Sequence, residues 1–353
     1  MAMPTIDNPL GLNGFGFVEF SSTDPEPMMA YFAQMGFVEV ARHKTKNTRL
    51  WRQGFADIII NLEPRSHAVQ FAAEHGPCAS GMAFRVHDPK SAFALAIERG
   101  AKPMDASLSA LGEDVPVIEG IGGALLYLVR DEEDLFTQWQ WHDGWQEAMT
   151  AQSTGLLVLD HLTHNVRRGQ MRVWSDYYSR LFGFEEQKYF NIKGQATGLF
   201  SQAMMAPDKA IRIPLNESQD DKSQIEEYLK EYNGEGIQHL AFTTEDIYDT
   251  VERLRARGVR LQDTILTYYD LVDKRVPGHG EDLERMKQNR ILIDGDVESE
   301  GILLQIFTEN LFGPIFLEII QRKGNQGFGN GNFQALFESI ELDQIRRGVI
   351  TVA

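Results

Sequence analysis

An internal duplication constrains this chain more than any other feature of its sequence. The segments AFRVHDPKSAFALAIERGAKP (83–103) and AFTTEDIYDTVERLRARGVRL (241–261) carry the same pattern at one constant offset, pairing Ala83 with Ala241, Phe84 with Phe242, Asp88 with Asp246 and Gly100 with Gly258 without a gap. In each copy a short apolar strand ends at an aspartate, whose carboxylate can accept the free N–H groups of the helix that follows. A glycine then stops the helix by supplying the left-handed residue such an end favours. The copies extend outward in both directions. GFGFVEF (14–20) and VLDHLTHNV (158–166) each lead through a polar turn to an amphipathic helix closing on Gly-Phe, at Gly36-Phe37 and Gly183-Phe184. GGALLYLV (122–129) matches GPIFLEII (313–320) as a glycine-led apolar strand. A chain that repeats strand, helix and several strands in this way is expected to build two related α+β domains.

The expected division is 1–150 and 151–353. Residues 131–155 between the repeats are acidic and polar and carry Trp139, Trp141 and Trp145, so this stretch reads as a linker whose tryptophans pack against a neighbour. With 353 residues and 42% hydrophobic content, each half can bury its own core. The formal charge of −17 repels phosphate backbones and anionic lipid, so neither nucleic acid nor membrane is an expected partner. Cys78 is the single cysteine, which rules out an internal disulfide and a cysteine-based zinc or iron–sulfur site, and fits a reducing compartment. Residues 1–20 hold no basic stretch leading into an apolar one, so a cytoplasmic location is expected.

Duplication also supplies an internal control, because one half can be subtracted from the other. Aligned on their apolar flanks, Phe17 opposes His161, Gly81 opposes His239 and Tyr127 opposes Glu318. Where the first half has apolar or small residues, the second has two imidazoles and a carboxylate. Glu318 lies in the apolar run IFLEII, where a lone buried carboxylate is driven neutral or expelled unless a cation balances it. Two neutral imidazoles and one carboxylate on three strands match the facial ligand set of non-haem Fe(II) oxygenases. Zinc accepts the same donors, but the H-E-x-x-H helix usual for it is missing. His164 follows His161 by three residues, so alternation along a strand sends it to the opposite face. The plainer readings are core histidines bonded to backbone, and an ion pair between Glu318 and Arg322. Gln305 and Phe307 share one strand face, as do Phe316 and Glu318, so a ligand and aromatic walls can line one cavity. The stretch RKGNQGFGNGNF contains no complete G-x-G-x-x-G leading into a helix, which excludes a dinucleotide site.

These residues resemble the bacterial 4-hydroxyphenylpyruvate dioxygenase family, within the vicinal-oxygen-chelate superfamily, over essentially the whole chain. The motifs LDHLTHNV, SQAMMAPDKAIRIPLNE, GEGIQHLAF, LLQIF, GPIFLEIIQRKGNQGFGNGNF and LFESIELDQIRRGV carry the resemblance in that order. It implies two tandem vicinal-oxygen-chelate (glyoxalase/dihydroxybiphenyl-dioxygenase-like) domains, each an open β-barrel of paired βαβββ modules. The first would be a scaffold without metal. The second would hold one Fe(II) on His161, His239 and Glu318, with no organic cofactor. The implied reaction takes 4-hydroxyphenylpyruvate and dioxygen to homogentisate and carbon dioxide, by oxidative decarboxylation, ring hydroxylation and side-chain migration, in tyrosine and phenylalanine catabolism.

The same resemblance assigns Ser201, Asn216 and Gln224 to the phenol, Gln305 to the part of the substrate nearest the iron, and Pro214 to the cavity wall. Phe307, Phe316, Phe328 and Phe333 would pack the ring, and Gln238 would support the metal ligands from behind, although strict alternation points it away from His239. A C-terminal helix, 333–348, would cover the pocket behind a glycine hinge. A homo-oligomer is implied, a tetramer in bacterial members. Three alternatives share the scaffold: 4-hydroxymandelate synthase, with the same substrate and metal; an extradiol catechol dioxygenase, which would accept catechols and release no carbon dioxide; and a small-molecule-binding protein without catalysis.

Overall fold

Each half of the chain closes its strands into one mixed eight-stranded sheet, in the computed structural model that describes residues 5–130, 135–194, 197–264, 266–329, 331, 332, 334, 337, 344, 345, 347 and 348. The first sheet comprises β1 (Leu12–Ser21), β2 (Val38–His43), β3 (Thr48–Gln53), β4 (Ala56–Asn61), β5 (Cys78–Val86), β6 (Val117–Glu119), β7 (Leu125–Val129) and β8 (Trp139–Trp141). Their order is β6-β7-β5-β1-β4-β3-β2-β8. The second comprises β9 (Leu159–Val166), β10 (Glu185–Lys193), β11 (Gly198–Met205), β12 (Arg212–Ser218), β13 (Gly236–Thr243), β14 (Leu292–Asp296), β15 (Gly301–Phe307) and β16 (Phe316–Lys323), in the order β10-β11-β12-β9-β13-β16-β15-β14.

The second sheet is two βαβββ modules joined back to back: β9 with helix Met171–Phe182 and β10 to β12, then β13 with helix Ile247–Ala256 and β14 to β16. The antiparallel pair β9 and β13 joins them. The first half departs from this in one place. Its second module, from β5 through helix Pro89–Glu98, contributes only β6 and β7, and the eighth strand is β8 on the far edge beside β2. The tryptophan-rich stretch therefore does more than connect. Trp139 is buried in the first sheet's core, and Trp141 and Trp145 lie over the guanidinium of Arg52, at 5.3 and 5.8 Å from their ring centres. The helix signals behave as the pattern predicts. Asp88 accepts from Lys90 N, Asp246 from Tyr248 N and Asp249 N, and Gly100 and Gly258 both take positive φ, at 88° and 81°.

Aromatic side chains join the halves. Phe312 of the second packs on Phe20 and Phe32 of the first, each at 5.5 Å between ring centres, Phe37 meets Phe242 at 5.5 Å, and Phe84 meets Phe182 at 5.2 Å. At Gly122 an added Cβ would come within 2.0 Å of the Glu235 carbonyl oxygen, so backbone touches backbone across the junction. Among the described residues no helix is long and apolar enough to cross a membrane.

Strand register confirms the equivalence of the halves residue by residue. Gly81 lies opposite Glu19 and Ala83 beside Tyr127 in the first sheet, as His239 lies opposite Thr163 and Ala241 beside Glu318 in the second. The first half fills this place with packing. Phe17 and Tyr127 sit 5.0 Å apart between ring centres, and the Tyr127 hydroxyl and the Asn61 amide both donate to the fully buried Glu19, at 2.8 and 2.7 Å. A Cβ on Gly81 would meet Glu19 Oε2 at 2.7 Å, so no ligand side chain fits there.

Burial pushes the Glu19 carboxyl up to about 7, against the two hydrogen bonds that favour its charged form. The native state then holds a proton that the unfolded chain releases above the ordinary carboxyl value, so this group's contribution is complete at low pH and is lost as pH rises toward 7. At about 1.4 kcal/mol per unit the loss is at most roughly 3 kcal/mol. Denaturant unfolding of Glu19→Gln and the unsubstituted chain at pH 5 and pH 8 should show the variant gaining relative stability at the higher pH. A stability difference independent of pH would contradict the assignment.

Candidate metal centre and pocket

Three neighbouring strands bring His161, His239 and Glu318 together. In the register of β9, β13 and β16, Ala241 lies between His161 on one side and Glu318 on the other, and its small side chain leaves room for theirs to meet. His239 is two residues from Ala241 and so projects from the same face. Glu318 Oε2 stands 3.0 Å from His161 Nε2 and 3.4 Å from His239 Nε2, and one donor atom from each of the three lies within 4.8 Å of the others. All three are buried. His164 points to the other face, with Nε2 2.7 Å from the Tyr178 hydroxyl, and burial pulls its imidazole down to about 3, so it is neutral.

Each of the two imidazoles is held from behind by the residue that precedes it. His161 Nδ1 donates to Asp160 Oδ1 at 2.9 Å and His239 Nδ1 donates to Gln238 Oε1 at 3.1 Å, which leaves both Nε2 atoms turned toward Glu318. Strict alternation forbids such contacts between neighbours, and β-bulges supply the exception. The β9–β13 pairing skips Gln238 between Ile237 and His239 and skips Asp160 between Leu159 and His161, so both residues are the unpaired members of bulges. The first half repeats both bulges, one at Ser80 and one between Phe15 and Val18.

Electrostatics bind the group tightly. Burial disfavours charge on Glu318, but the two imidazoles outweigh it and bring the carboxyl down to about 2. Burial likewise opposes protonation of His161, yet Glu318 and Asp160 raise it to about 9; His239 is lowered, by burial first. Arg322 is not the partner of Glu318. Its guanidinium grips Asp160 in a two-pronged pair, both contacts at 2.8 Å. The second prong on Glu318 comes from Gln305, whose Nε2 donates to Oε1 at 2.6 Å, while Gln305 Oε1 accepts from Asn332 at 2.7 Å. Two neutral-capable nitrogens and one anionic oxygen, aimed at each other and backed by fixed acceptors, are a donor set suited to a divalent transition metal.

A cavity opens beside this group. His161 and Thr163 of β9, Phe190 of β10, Ser201 of β11, Pro214 and Asn216 of β12, His239, Gln305 and Phe307 of β15, Glu318 and Phe328 line it. Ser201 and Asn216 face each other across the β11–β12 register. Asn216 Oδ1 is buried without a partner, a cost that a donor in the cavity would remove. The Phe328 ring stands 5.8 Å from that of His161. The free space is about 40 Å³, room for a few waters and not for an aromatic ring, so a ring-bearing ligand requires side chains to move. Gln224 does not line this cavity. It faces a larger polar cleft that Gln238, Arg260, Glu309 and Arg347 share, on the other side of Phe316, which stacks on His239 at 4.7 Å. Phe333 and most of 333–348 lie outside the described residues; Phe337, within that stretch, is buried. Thr163, Phe190, Asp160 and Asn332 are site residues that sequence reading passed over, and only the Asp-His pair in LDH offered a signal.

The comparisons with known proteins agree with this geometry. Residues 6–138 match the profile of the N-terminal part of hydroxyphenylpyruvate dioxygenase, and residues 158–271 that of the glyoxalase/bleomycin resistance protein/dioxygenase superfamily. A 4-hydroxyphenylpyruvate dioxygenase of Pseudomonas aeruginosa is 53% identical over 97% of both chains, and one of Legionella pneumophila is 49% identical over 98% of both. The chain belongs to the 4-hydroxyphenylpyruvate dioxygenase family. A hemolysin VllY of Vibrio vulnificus is 51% identical over 98% of this chain and 99% of its own. Among solved structures, a triple mutant of 4-hydroxymandelate synthase from Streptomyces coelicolor superposes with a TM-score of 0.81 at 25% identity, covering 95% of this chain and 99% of that one. The tandem vicinal-oxygen-chelate architecture expected for the 4-hydroxyphenylpyruvate dioxygenase family is thus the architecture of this chain, and members of the family are enzymes.

One glycine ties the C-terminal loop to the centre. Gly329 has a φ of 66°, and a Cβ there would fall 2.2 Å from Gln305 Oε1. Gly329→Ala should lower unfolding free energy by about 1–3 kcal/mol, through left-handed strain and displacement of Gln305. Denaturant melts check this, and an unchanged midpoint would contradict it.

Proposed function

We propose that this chain converts 4-hydroxyphenylpyruvate and dioxygen to homogentisate and carbon dioxide, with one Fe(II) held by His161, His239 and Glu318. The observation that carries the reading is the buried convergence of two Nε2 atoms on Glu318 Oε2, beside a cavity with aromatic walls and polar groups spread along it. Ferrous iron, when bound, supplies redox chemistry and open positions for a 2-oxo acid and dioxygen.

The chain's own residues do the rest. Asp160 and Gln238 keep both Nδ1 atoms protonated and both Nε2 atoms available. Gln305 engages Glu318 Oε1 and so fixes the carboxylate's rotation, a holding role next to the reacting end. Across the cavity, Asn216 Oδ1 needs a donor, and a phenol O–H satisfies it while Ser201, opposite in register, supplies a second polar contact. Pro214 adds wall without a backbone donor, and Phe307 and Phe328 give the ring apolar faces. Gln224 lines the separate polar cleft and not this cavity. Closure by Phe328 excludes water, which limits wasteful side reactions.

The same proposal divides the chain near residue 150 into an N-terminal scaffold that carries subunit contacts and a C-terminal catalytic half, assembled as a homo-oligomer, a tetramer, in the cytoplasm, where the buried thiol of Cys78 stays reduced. The 4-hydroxymandelate synthase reading is set apart by product: benzylic hydroxylation yields hydroxymandelate. A binding protein would consume no oxygen.

Alanine at His161, His239 or Glu318 should abolish turnover, at least about 1,000-fold, and reduce iron per chain well below one, with the circular dichroism spectrum retained. A variant that kept both iron and activity would remove that residue from the centre. Asn216→Ala should keep iron yet yield less homogentisate per oxygen consumed; an unchanged ratio would count against its contact with the phenol.

A further inference from the structure

We infer that Asp160 and Arg322 form a positioning pair that couples the orientation of His161 to the loop 324–329, which carries Phe328 over the cavity. The inference rests on the reading of His161 as a metal ligand and names what sets that ligand's orientation.

Asp160 is nearly fully buried and every strong contact of its carboxylate is accounted for. Oδ1 accepts from His161 Nδ1 at 2.9 Å and from Arg322 Nη2 at 2.8 Å; Oδ2 accepts from Arg322 Nε at 2.8 Å and from Arg212 Nη1 at 3.3 Å. Both arginines then run on to the same loop. Arg322 Nη1 donates to the carbonyls of Asn325 and Gly327, at 3.1 and 2.7 Å, and Arg212 Nη2 donates to Gln326 Oε1 at 3.0 Å. The residue after Gly327 is Phe328, whose ring stands 5.8 Å from His161. The contacts therefore close a circuit: imidazole, carboxylate, guanidinium, loop carbonyls, phenyl ring, and back to the imidazole.

A structural ion pair alone does not require this arrangement. Burying two charges costs solvation that a pair of apolar side chains avoids, so ion pairs of this kind are weak devices for stability. What the circuit adds is linkage. Phe328 lines the cavity, so a shift of the loop that carries it pulls on the two carbonyls held by Arg322. The strain reaches His161 through one shared carboxylate. Linkage is reciprocal: if the loop's position biases the imidazole, then a metal that fixes the imidazole must steady the loop.

Hydrogen exchange tests this with Co(II) as the probe. In the unsubstituted chain, saturating Co(II) should slow amide exchange across 324–329 by several-fold. Arg322→Gln should bind Co(II) about 10- to 100-fold more weakly and, once saturated, show no metal-dependent slowing in that loop. A merely structural role lowers the melting temperature and the loop's baseline protection but leaves the metal-dependent change intact. Should Arg322→Gln fail to fold, Arg322→Lys replaces it, since an ammonium cannot grip both carboxylate oxygens and both carbonyls at once. Co(II) uptake with an unresponsive loop in the unsubstituted chain, or an undiminished response in the variant, overturns the inference alone. No Co(II) uptake by the unsubstituted chain overturns the ligand assignment and the inference with it.

Discussion

A carboxylate taken out of water must find compensation, and the second half of this molecule is arranged around that need. Glu318 lies in a strand buried on both faces, and its two oxygens are fully engaged: Oε2 with two imidazoles, Oε1 with Gln305. The imidazoles outweigh the cost of burial and keep the group ionised. Everything around it follows from keeping those partners in place. Ala241 is small so that His161 and Glu318 can meet across β13, two bulges turn Asp160 and Gln238 toward the rings they hold, and Gly329 lets the C-terminal loop lie against Gln305.

The two halves show how one scaffold is kept for packing or opened for chemistry. At matching positions the first half has Phe17, Gly81 and Tyr127, and its buried acid, Glu19, sits one alternation along the strand from Phe17, hydrogen-bonded by the neutral donors Asn61 and Tyr127 and favoured only weakly by the charge of Lys46. Burial therefore wins there and the carboxyl is raised, while in the second half the imidazoles win and the carboxyl is lowered. The sign of the shift, set by the neighbours and not by depth, separates a structural acid from a candidate ligand.

What the sequence made legible was whatever depends on periodicity. The duplication showed because strand, cap and glycine stop recur at fixed spacing, and the three converging side chains showed because alternation puts His161, His239 and Glu318 on one face and His164 on the other. What stayed hidden depends on departures from periodicity. Asp160 and Gln238 sit on bulges, which no two-residue repeat can announce, so alternation alone points Gln238 away from His239, whereas it accepts the Nδ1 hydrogen from the supporting place the resemblance implies. Gln224 was expected beside Ser201 and Asn216, yet Phe316 divides its cleft from their cavity, a matter of three-dimensional packing between distant segments. The stretch with Trp139 reads as polar and acidic, but its tryptophans complete a sheet edge through pairing with β2 that spans about a hundred residues.

The account stands or falls on whether these three side chains hold one ion. Anaerobic titration of metal-free protein with Fe(II), followed by calorimetry and metal analysis, measures that directly. The expected result is a single tight site per chain in the unsubstituted protein, and no tight site when Glu318 is replaced by alanine. One equivalent of iron bound with equal affinity by that variant would contradict it.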